Sequence, residues 1–213
     1  GALCNNADYK EGEIIGDPTE AAILSASRKG GVSKENLTGY RRIGEIPFDS
    51  DRKRMSVICK DYSGNTFLFV KGAPDIILNL CNKKLDDSGL SIMNYSEKRK
   101  FMGINEEMAG QALRGLGFAY KKLDYVPQNL SNPDIEKNLI FIGLEGMMDP
   151  PRPETIESIK SCYKAGIRPV MITGDHKVTA VAIAREIGMK LGEDDIMTGK
   201  EIEVIGDREL EKK

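Results

Sequence analysis

The chain has 213 residues, of which 40% are hydrophobic and 30% charged, with no tryptophan and a formal net charge of −2. That composition fits a soluble globular chain and argues against a disordered or membrane-spanning one. The near balance of 31 basic and 33 acidic residues argues against a nucleic acid partner.

Four scattered cysteines and a single histidine give neither a C-x-x-C pair nor a zinc ligand set, so packed, reduced thiols in a cytosolic compartment are expected. The longest uncharged apolar run, Leu139-Ile-Phe-Ile-Gly-Leu144, is far short of the ~20 residues that span a bilayer. No direct membrane insertion by these residues is expected. The opening Gly1-Ala-Leu-Cys4 has no basic flank or signal-like core.

In Gly16-Asp-Pro-Thr-Glu-Ala-Ala-Ile-Leu24, Asp17 is placed to cap a helix, Pro18 to take its first position and Glu20 its third. The pattern predicts a helix to about Arg28, closed by Gly30-Gly31. Short alternating or apolar runs follow at 41–46, 55–60 and 66–71, the last two joined by the turn-like Asp61-Tyr-Ser-Gly64, and predict antiparallel strands. Helical spacing then appears at Ile76, Ile77, Leu80 and Cys81, and again at Phe101, Ile104, Met108 and Ala112 in a segment opened by Ser96. Strand-like runs return at 116–122 and 139–146, around a loop near 125–134 rich in Pro, Asn and Ser. The expected fold is an α+β domain with a mainly antiparallel sheet flanked by helices.

The character changes at Met147-Met-Asp-Pro-Pro-Arg-Pro153, where three prolines in four residues impose a stiff, extended connection. Beyond it the pattern predicts a helix over 153–165 ended by Gly166, a strand over 168–172 and the turn Thr173-Gly-Asp175. A helix through Val181, Ile183 and Ile187, ended by Gly188, comes next. Helix, strand, turn and helix make an incomplete α/β segment, and another helix is expected at Leu210-Glu-Lys-Lys213. The expected organisation is therefore a domain over 1–148, a hinge over 149–152 and a partial second domain over 153–213.

Thr-Gly-Asp at the end of a strand places a carboxylate where open α/β sheets bind ligands. Two common phosphate devices are excluded. Gly110-Gln-Ala-Leu-Arg-Gly115 has the glycine spacing of a P-loop but continues with Leu116 instead of Lys and Ser or Thr, and no G-x-G-x-x-G opens a helix after a strand. His176 has no serine or cysteine partner for a nucleophile arrangement. Taken singly, Asp-Pro-Thr-Glu is a well-capped helix, Lys71-Gly-Ala-Pro74 a strand end and Asp51-Arg-Lys-Arg54 a solvated loop. The mixed charge of Arg41, Arg42, Arg52, Lys53 and Arg54 with Asp49 and Asp51 suits a compact anion.

In order, however, Gly16-Asp-Pro-Thr-Glu20, Phe48 to Val57, Lys71-Gly-Ala-Pro74, Leu113-Arg114, Asp149-Pro-Pro-Arg152 and Thr173-Gly-Asp-His-Lys177 closely resemble the P-type cation-transporting ATPases, nearest the calcium-pump branch. The resemblance runs across almost the whole chain. It implies the nucleotide-binding domain and part of the phosphorylation domain, the latter of haloacid-dehalogenase-like fold. It further implies ATP as ligand, with Phe48 stacking on adenine, Met55 lining the pocket and Glu20 accepting from the amino group or holding the pocket. Lys53 and Lys71 would surround base and phosphates, and Arg114 would reach toward the phosphate chain. Thr173, Gly174 and Asp175 would meet the terminal phosphate and ribose from the phosphorylation side, and Asp149 and Arg152 would belong to the hinge.

Neither the family's Asp-Lys-Thr-Gly-Thr segment, which carries the phosphorylated aspartate, nor its magnesium-binding Gly-Asp-Gly-x-Asn-Asp segment occurs in this sequence. The resemblance therefore implies an excised cytosolic piece of a membrane pump that binds ATP without hydrolysing it. Mg2+ is expected only in the intact enzyme. The implied partners are ATP and the remaining phosphorylation, actuator and transmembrane domains of the same pump. Two rivals stand beside it: a soluble haloacid-dehalogenase-type phosphohydrolase, and a stand-alone regulatory nucleotide-binding module.

Overall fold

The structure, a computed structural model, describes residues 1–10, 13–127, 129–130, 133–148, 151–174, 177–192 and 195–206. It divides into one unit made of Gly1–Asn105 and Gly115–Met147, and a second made of Glu106–Arg114 and Met148–Lys213.

In the first unit, β1 (Asp8–Lys10) and β2 (Glu13–Ile15) form a small antiparallel pair, and α1 (Pro18–Lys29) follows. The main sheet has seven strands. These are β3 (Arg41–Asp49), β4 (Arg54–Lys60), β5 (Thr66–Gly72), β6 (Cys81–Asp86), β7 (Gly89–Ile92), β8 (Arg114–Leu123) and β9 (Leu139–Met147), in the spatial order β3-β4-β5-β8-β9-β6-β7. The ladders β3/β4, β4/β5, β5/β8 and β6/β7 are antiparallel, while β6 runs parallel to β9. The expected mainly antiparallel sheet flanked by helices is what the structure contains. Two helices enter between strands, the seven-residue α2 (Pro74–Leu80) and the sixteen-residue α3 (Tyr95–Gly110), whose residues from Glu106 onward are counted with the second unit.

The alternation of side chains along β4 and β5 determines what each face buries. Met55, Val57 and Cys59 pair with Lys71, Phe69 and Phe67 on one face, where Leu3 and Cys4 of the N-terminal segment pack. Ile58, Leu68 and Val70 point the other way, into a core completed by Ile77 and Leu78 of α2, Leu139 and Phe141 of β9, and Phe101 of α3. The Phe101 and Phe141 ring centroids are 4.7 Å apart. β4 is buried on both faces, which is why it reads as a continuous apolar run.

Several expectations hold to within a residue or two. Asp17 caps α1 with Pro18 in the first turn, and the helix closes at Gly30, with Gly31 at φ 78°. α3 opens one step earlier than expected. Asn94 and Glu97 exchange side-chain to backbone hydrogen bonds as a capping box, so Ser96 lies inside the first turn. The β6/β7 hairpin was not anticipated. Its strands carry Lys83, Lys84 and Asp86 and are largely exposed, with β7 forming the sheet's edge.

In the second unit α4 (Pro153–Lys164) ends at Gly166 with φ 74°, α5 (Lys177–Glu186) ends at Gly188 with φ 84°, and α6 (Gly199–Val204) opens on a capping box between Thr198 and Glu201. The strand expected over 168–172 is not formed, and Val170 and Ile172 are 78% and 93% exposed. The apolar run is that of a strand buried between parallel neighbours. Among the described residues no strand pairs with it, and an unpaired backbone has no ladder to join. The helix expected at Leu210 to Lys213 lies outside the described residues.

Burial fixes the chemistry of three thiols. It pushes Cys4 and Cys81 up to about 12 and Cys59 up to about 11, whereas Cys162 on α4 is only partly buried. A thiol reagent at pH 8 is expected to modify Cys162 in the native protein and all four cysteines after unfolding. Rapid native labelling of Cys59 by mass spectrometry would contradict the double-sided burial of β4.

Candidate functional site

Most of the residues singled out by sequence in the first unit fall into two places. At the first, α1 delivers Glu20 to the end of β5. Asp17 Oδ1 accepts from the backbone N–H groups of Thr19 and Glu20 at 2.9 and 3.4 Å, which fixes the first turn. Buried Asn5 donates to the Glu20 carbonyl at 2.8 Å and accepts from Ala7 N–H at 2.8 Å, tying that turn to the N-terminal segment. Glu20 Oε1 meets Lys71 Nζ at 2.6 Å. Lys71 is only 6% exposed, and its ladder partner Met55 only 2%. Burial also pushes the Glu145 carboxyl above its ordinary value, opposed by the positive charges of the Gly1 ammonium and Lys71.

The second place is the β3–β4 hairpin end, which carries Phe48 and Lys53. The ladder shifts register between Ile46 and Asp49, so Pro47 and Phe48 lie in an irregular stretch of an outer strand. Phe48 is 65% exposed, while the five other phenylalanines are buried or half-buried. Asp49 Oδ1 accepts from the N–H groups of Asp51 and Arg52, both at 2.9 Å, and these bonds, Arg52 first, hold its carboxyl below the usual range. Lys53 adopts φ 51°, donates to the Asp49 carbonyl at 2.7 Å and accepts from Ala73 N–H at 3.0 Å. The hairpin end therefore rests on the segment just after Lys71, and an exposed ring, an exposed lysine and a buried lysine–glutamate pair share one end of the sheet.

The basic patch proves less free than the sequence suggested. Arg42 pairs with Glu45 at 2.6 Å and donates to Asn6 at 2.7 Å. Arg52 and Arg54 converge on Glu136, which is 2% exposed. Ser56 Oγ also donates to Glu136, at 2.5 Å. Burial alone would push the Glu136 carboxyl up. Hydrogen bonds from Ser56, Arg54 and Arg52 outweigh it and leave the group below its ordinary value. Sequence reading missed Glu136. The surrounding Asn132-Pro-Asp-Ile-Glu136 reads as loop, and only a wish to neutralise Arg52 and Arg54 would have pointed to it.

The remaining residues belong to the second unit. Arg114 is exposed at the start of β8, Arg152 precedes α4 with its carbonyl accepting from Thr155 N–H at 2.9 Å, and Thr173 and Gly174 are exposed on irregular backbone. Asp149, Asp175 and His176 lie outside the described residues. Among the described residues, no group of three or more His, Cys, Asp or Glu side chains converges as a metal site would, and no helix is long and apolar enough to cross a membrane.

A family model described as "P-type ATPase, cytoplasmic domain N" matches residues 1–154. Calcium-transporting ATPase 1 of Bacillus cereus is 44% identical over 212 residues, covering 99% of this chain and 24% of its own length. Calcium-transporting ATPase 1 of Lactococcus lactis is 42% identical over 210 residues, covering 98% and 24%. The calcium-transporting ATPase of Bacillus subtilis is 40% identical over 215 residues, covering 99% and 24%. This chain thus spans roughly a quarter of the length of each of these relatives.

Proposed function

The chain belongs to the P-type ATPase family, of which it carries the cytoplasmic domain N, and on that basis we propose that its first unit binds ATP for a cation pump. The observation that carries the reading is Phe48, a large ring left 65% exposed at a hairpin end whose turn is locked by Asp49 and seated on Ala73. An exposed aromatic face beside fixed cations suits a flat base bearing a polyanion. Phe48 stacks on adenine, and Lys53 approaches from solvent. Lys71 supplies positive charge from within the sheet end, while Glu20 holds Lys71 and the pocket wall. Met55 supports the site from beneath.

Arg114 is assigned to the phosphate chain. Thr173, Gly174 and Asp175 are assigned to the phosphorylation side, within a partial haloacid-dehalogenase-like domain, and Asp149 and Arg152 to a hinge between 1–148 and 153–213. In the whole pump the hinge brings the terminal phosphate to an aspartate that lies outside these 213 residues, and the aspartyl-phosphate drives cation transport. Calcium is the proposed ion, since the relatives above are named for it. The unit would sit on the cytosolic side of the membrane, with actuator, transmembrane and remaining phosphorylation domains as its partners and Mg2+ recruited there. Family membership favours this reading over a soluble phosphohydrolase. Lacking the Asp-Lys-Thr-Gly-Thr segment, the chain alone is proposed to bind ATP without releasing phosphate.

Titration with ATP and with AMP tests the assignment. Phe48→Ala is expected to weaken both roughly tenfold or more, because base–aromatic stacking is worth ~1–3 kcal/mol. Equal binding by wild type and variant would remove Phe48 from the site.

A further inference from the structure

The hairpin end that carries Phe48 is poorly held by its own ladder. β3 is the outermost strand on its side, and its register breaks between Ile46 and Asp49, around Phe48 itself. What fixes the position of the ring must come from elsewhere. Glu136, on the short 3-10 turn Pro133–Glu136, is the residue on which the connections converge, from partners 80 to 84 positions away in sequence.

Arg52 Nη2 donates to Glu136 Oε1 at 2.5 Å, while its Nη1 donates to the Pro47 carbonyl at 3.3 Å. One guanidinium thus joins the buried carboxylate to the peptide group that leads into Phe48. Arg54 donates to Glu136 Oε2 through Nε at 2.7 Å, and to the Arg52 carbonyl through Nη1 at 3.1 Å. Ser56 Oγ donates to Oε1, the same oxygen that Arg52 meets, and anchors it to the body of β4. Oε1 is therefore bonded both to the body of β4 and to the turn that presents the ring, while Oε2 is held by Arg54 at the start of β4. A buried carboxylate is retained only when its partners compensate the loss of water. Here those partners all lie on the hairpin and none on the apolar core.

We propose that Glu136 is a positioning residue for the nucleotide site, acting through Arg52 to hold the Phe48 platform at the height and angle that stacking requires. The proposal rests on the nucleotide-binding reading for its consequence, and on the geometry alone for its tether.

The test uses the whole chain with two variants, Glu136→Gln and the milder Arg52→Gln, which leaves Glu136 paired with Arg54 and Ser56. Amide hydrogen exchange without ligand is expected to quicken over residues 47–53 in both, with β5 and β8 unchanged. AMP and ATP are expected to lose affinity by a common factor of roughly ten or more, the scale seen when the support behind a ligand-binding group is removed. Inorganic tripolyphosphate, which has no base to stack, is expected to keep its affinity. A purely structural role would weaken all three ligands in proportion to lost stability. Unchanged exchange over 47–53 in Arg52→Gln overturns the tether. Faster exchange with unchanged AMP affinity, in a protein whose Phe48→Ala variant does lose AMP, overturns the positioning role and leaves the nucleotide site standing. Should wild type bind no nucleotide, the functional reading fails on its own, and the exchange measurement still decides the tether.

Discussion

Replacing Glu20 by leucine is expected to cost about 3–5 kcal/mol of stability, the penalty for stripping the partner from a buried charge. The charge left behind is the Lys71 ammonium, 6% exposed and flanked on its face of the sheet by Met55 and Phe118. The reverse substitution, Lys71→Met, should cost less. Glu20 is the more accessible partner, and it sits in the first turn of α1, where the helix dipole favours a carboxylate. The double variant Glu20→Leu with Lys71→Met should recover most of the loss, since an apolar pair of similar volume removes both desolvation costs.

Urea denaturation of the four proteins gives the cycle directly. Additive losses would mean that the 2.6 Å contact is not the coupling it looks like. The outcome bears on function because the family resemblance assigns Glu20 to the adenine amino group or the pocket wall, and Lys71 to base and phosphates. Bound to each other, they form a wall of the site first. A phosphate drawn to Lys71 must share it with Glu20.

Where local chemistry decides structure, the sequence was a good guide. Asp17 and Pro18 announce α1 by themselves, and the period-two apolar runs of β4 and β5 announce a buried pair, because caps and alternation act within a few residues. Phe48, Lys53 and Lys71 were legible as motif residues, and the structure places them at one end of the sheet. What was not legible depends on partners distant in sequence. The β6/β7 hairpin carries polar residues and is placed by its parallel pairing to β9, more than fifty residues on. Glu136 looks like a solvated loop residue until the fold brings Arg52, Arg54 and Ser56 to it. The run over 168–172 errs the other way. Its composition asks for flanking strands, and without them among the described residues it stays irregular.

Adding a single methyl group at Gly72 is expected to destabilise the protein by about 3 kcal/mol, the upper end of what overpacking costs. Gly72 faces Arg54 on one side and Gly117 on the other in the ladders of β5. A Cβ there would lie 2.5 Å from the Lys53 carbonyl oxygen and 2.7 Å from Arg54 Cβ. The oxygen belongs to backbone and already accepts from Ala73 N–H at 3.0 Å, so it has no flexible side chain to swing aside. Relief requires the hairpin end to lift away from β5, which moves Lys53 from Lys71 and shifts the base that supports Phe48.

Gly143→Ala on β9 is the matched control, since a Cβ there meets nothing within 4 Å. That substitution is expected to be neutral or mildly stabilising, because alanine restricts the unfolded chain more than glycine does. A difference of under ~1 kcal/mol between the two variants, measured as the shift in urea midpoint at constant slope, would show that the hairpin end moves freely against β5. A difference near 3 kcal/mol, with nucleotide affinity falling in Gly72→Ala alone, would mean that the turn after Phe48 and the strand end at Lys71 must stay in contact for the base and the phosphates to be held together.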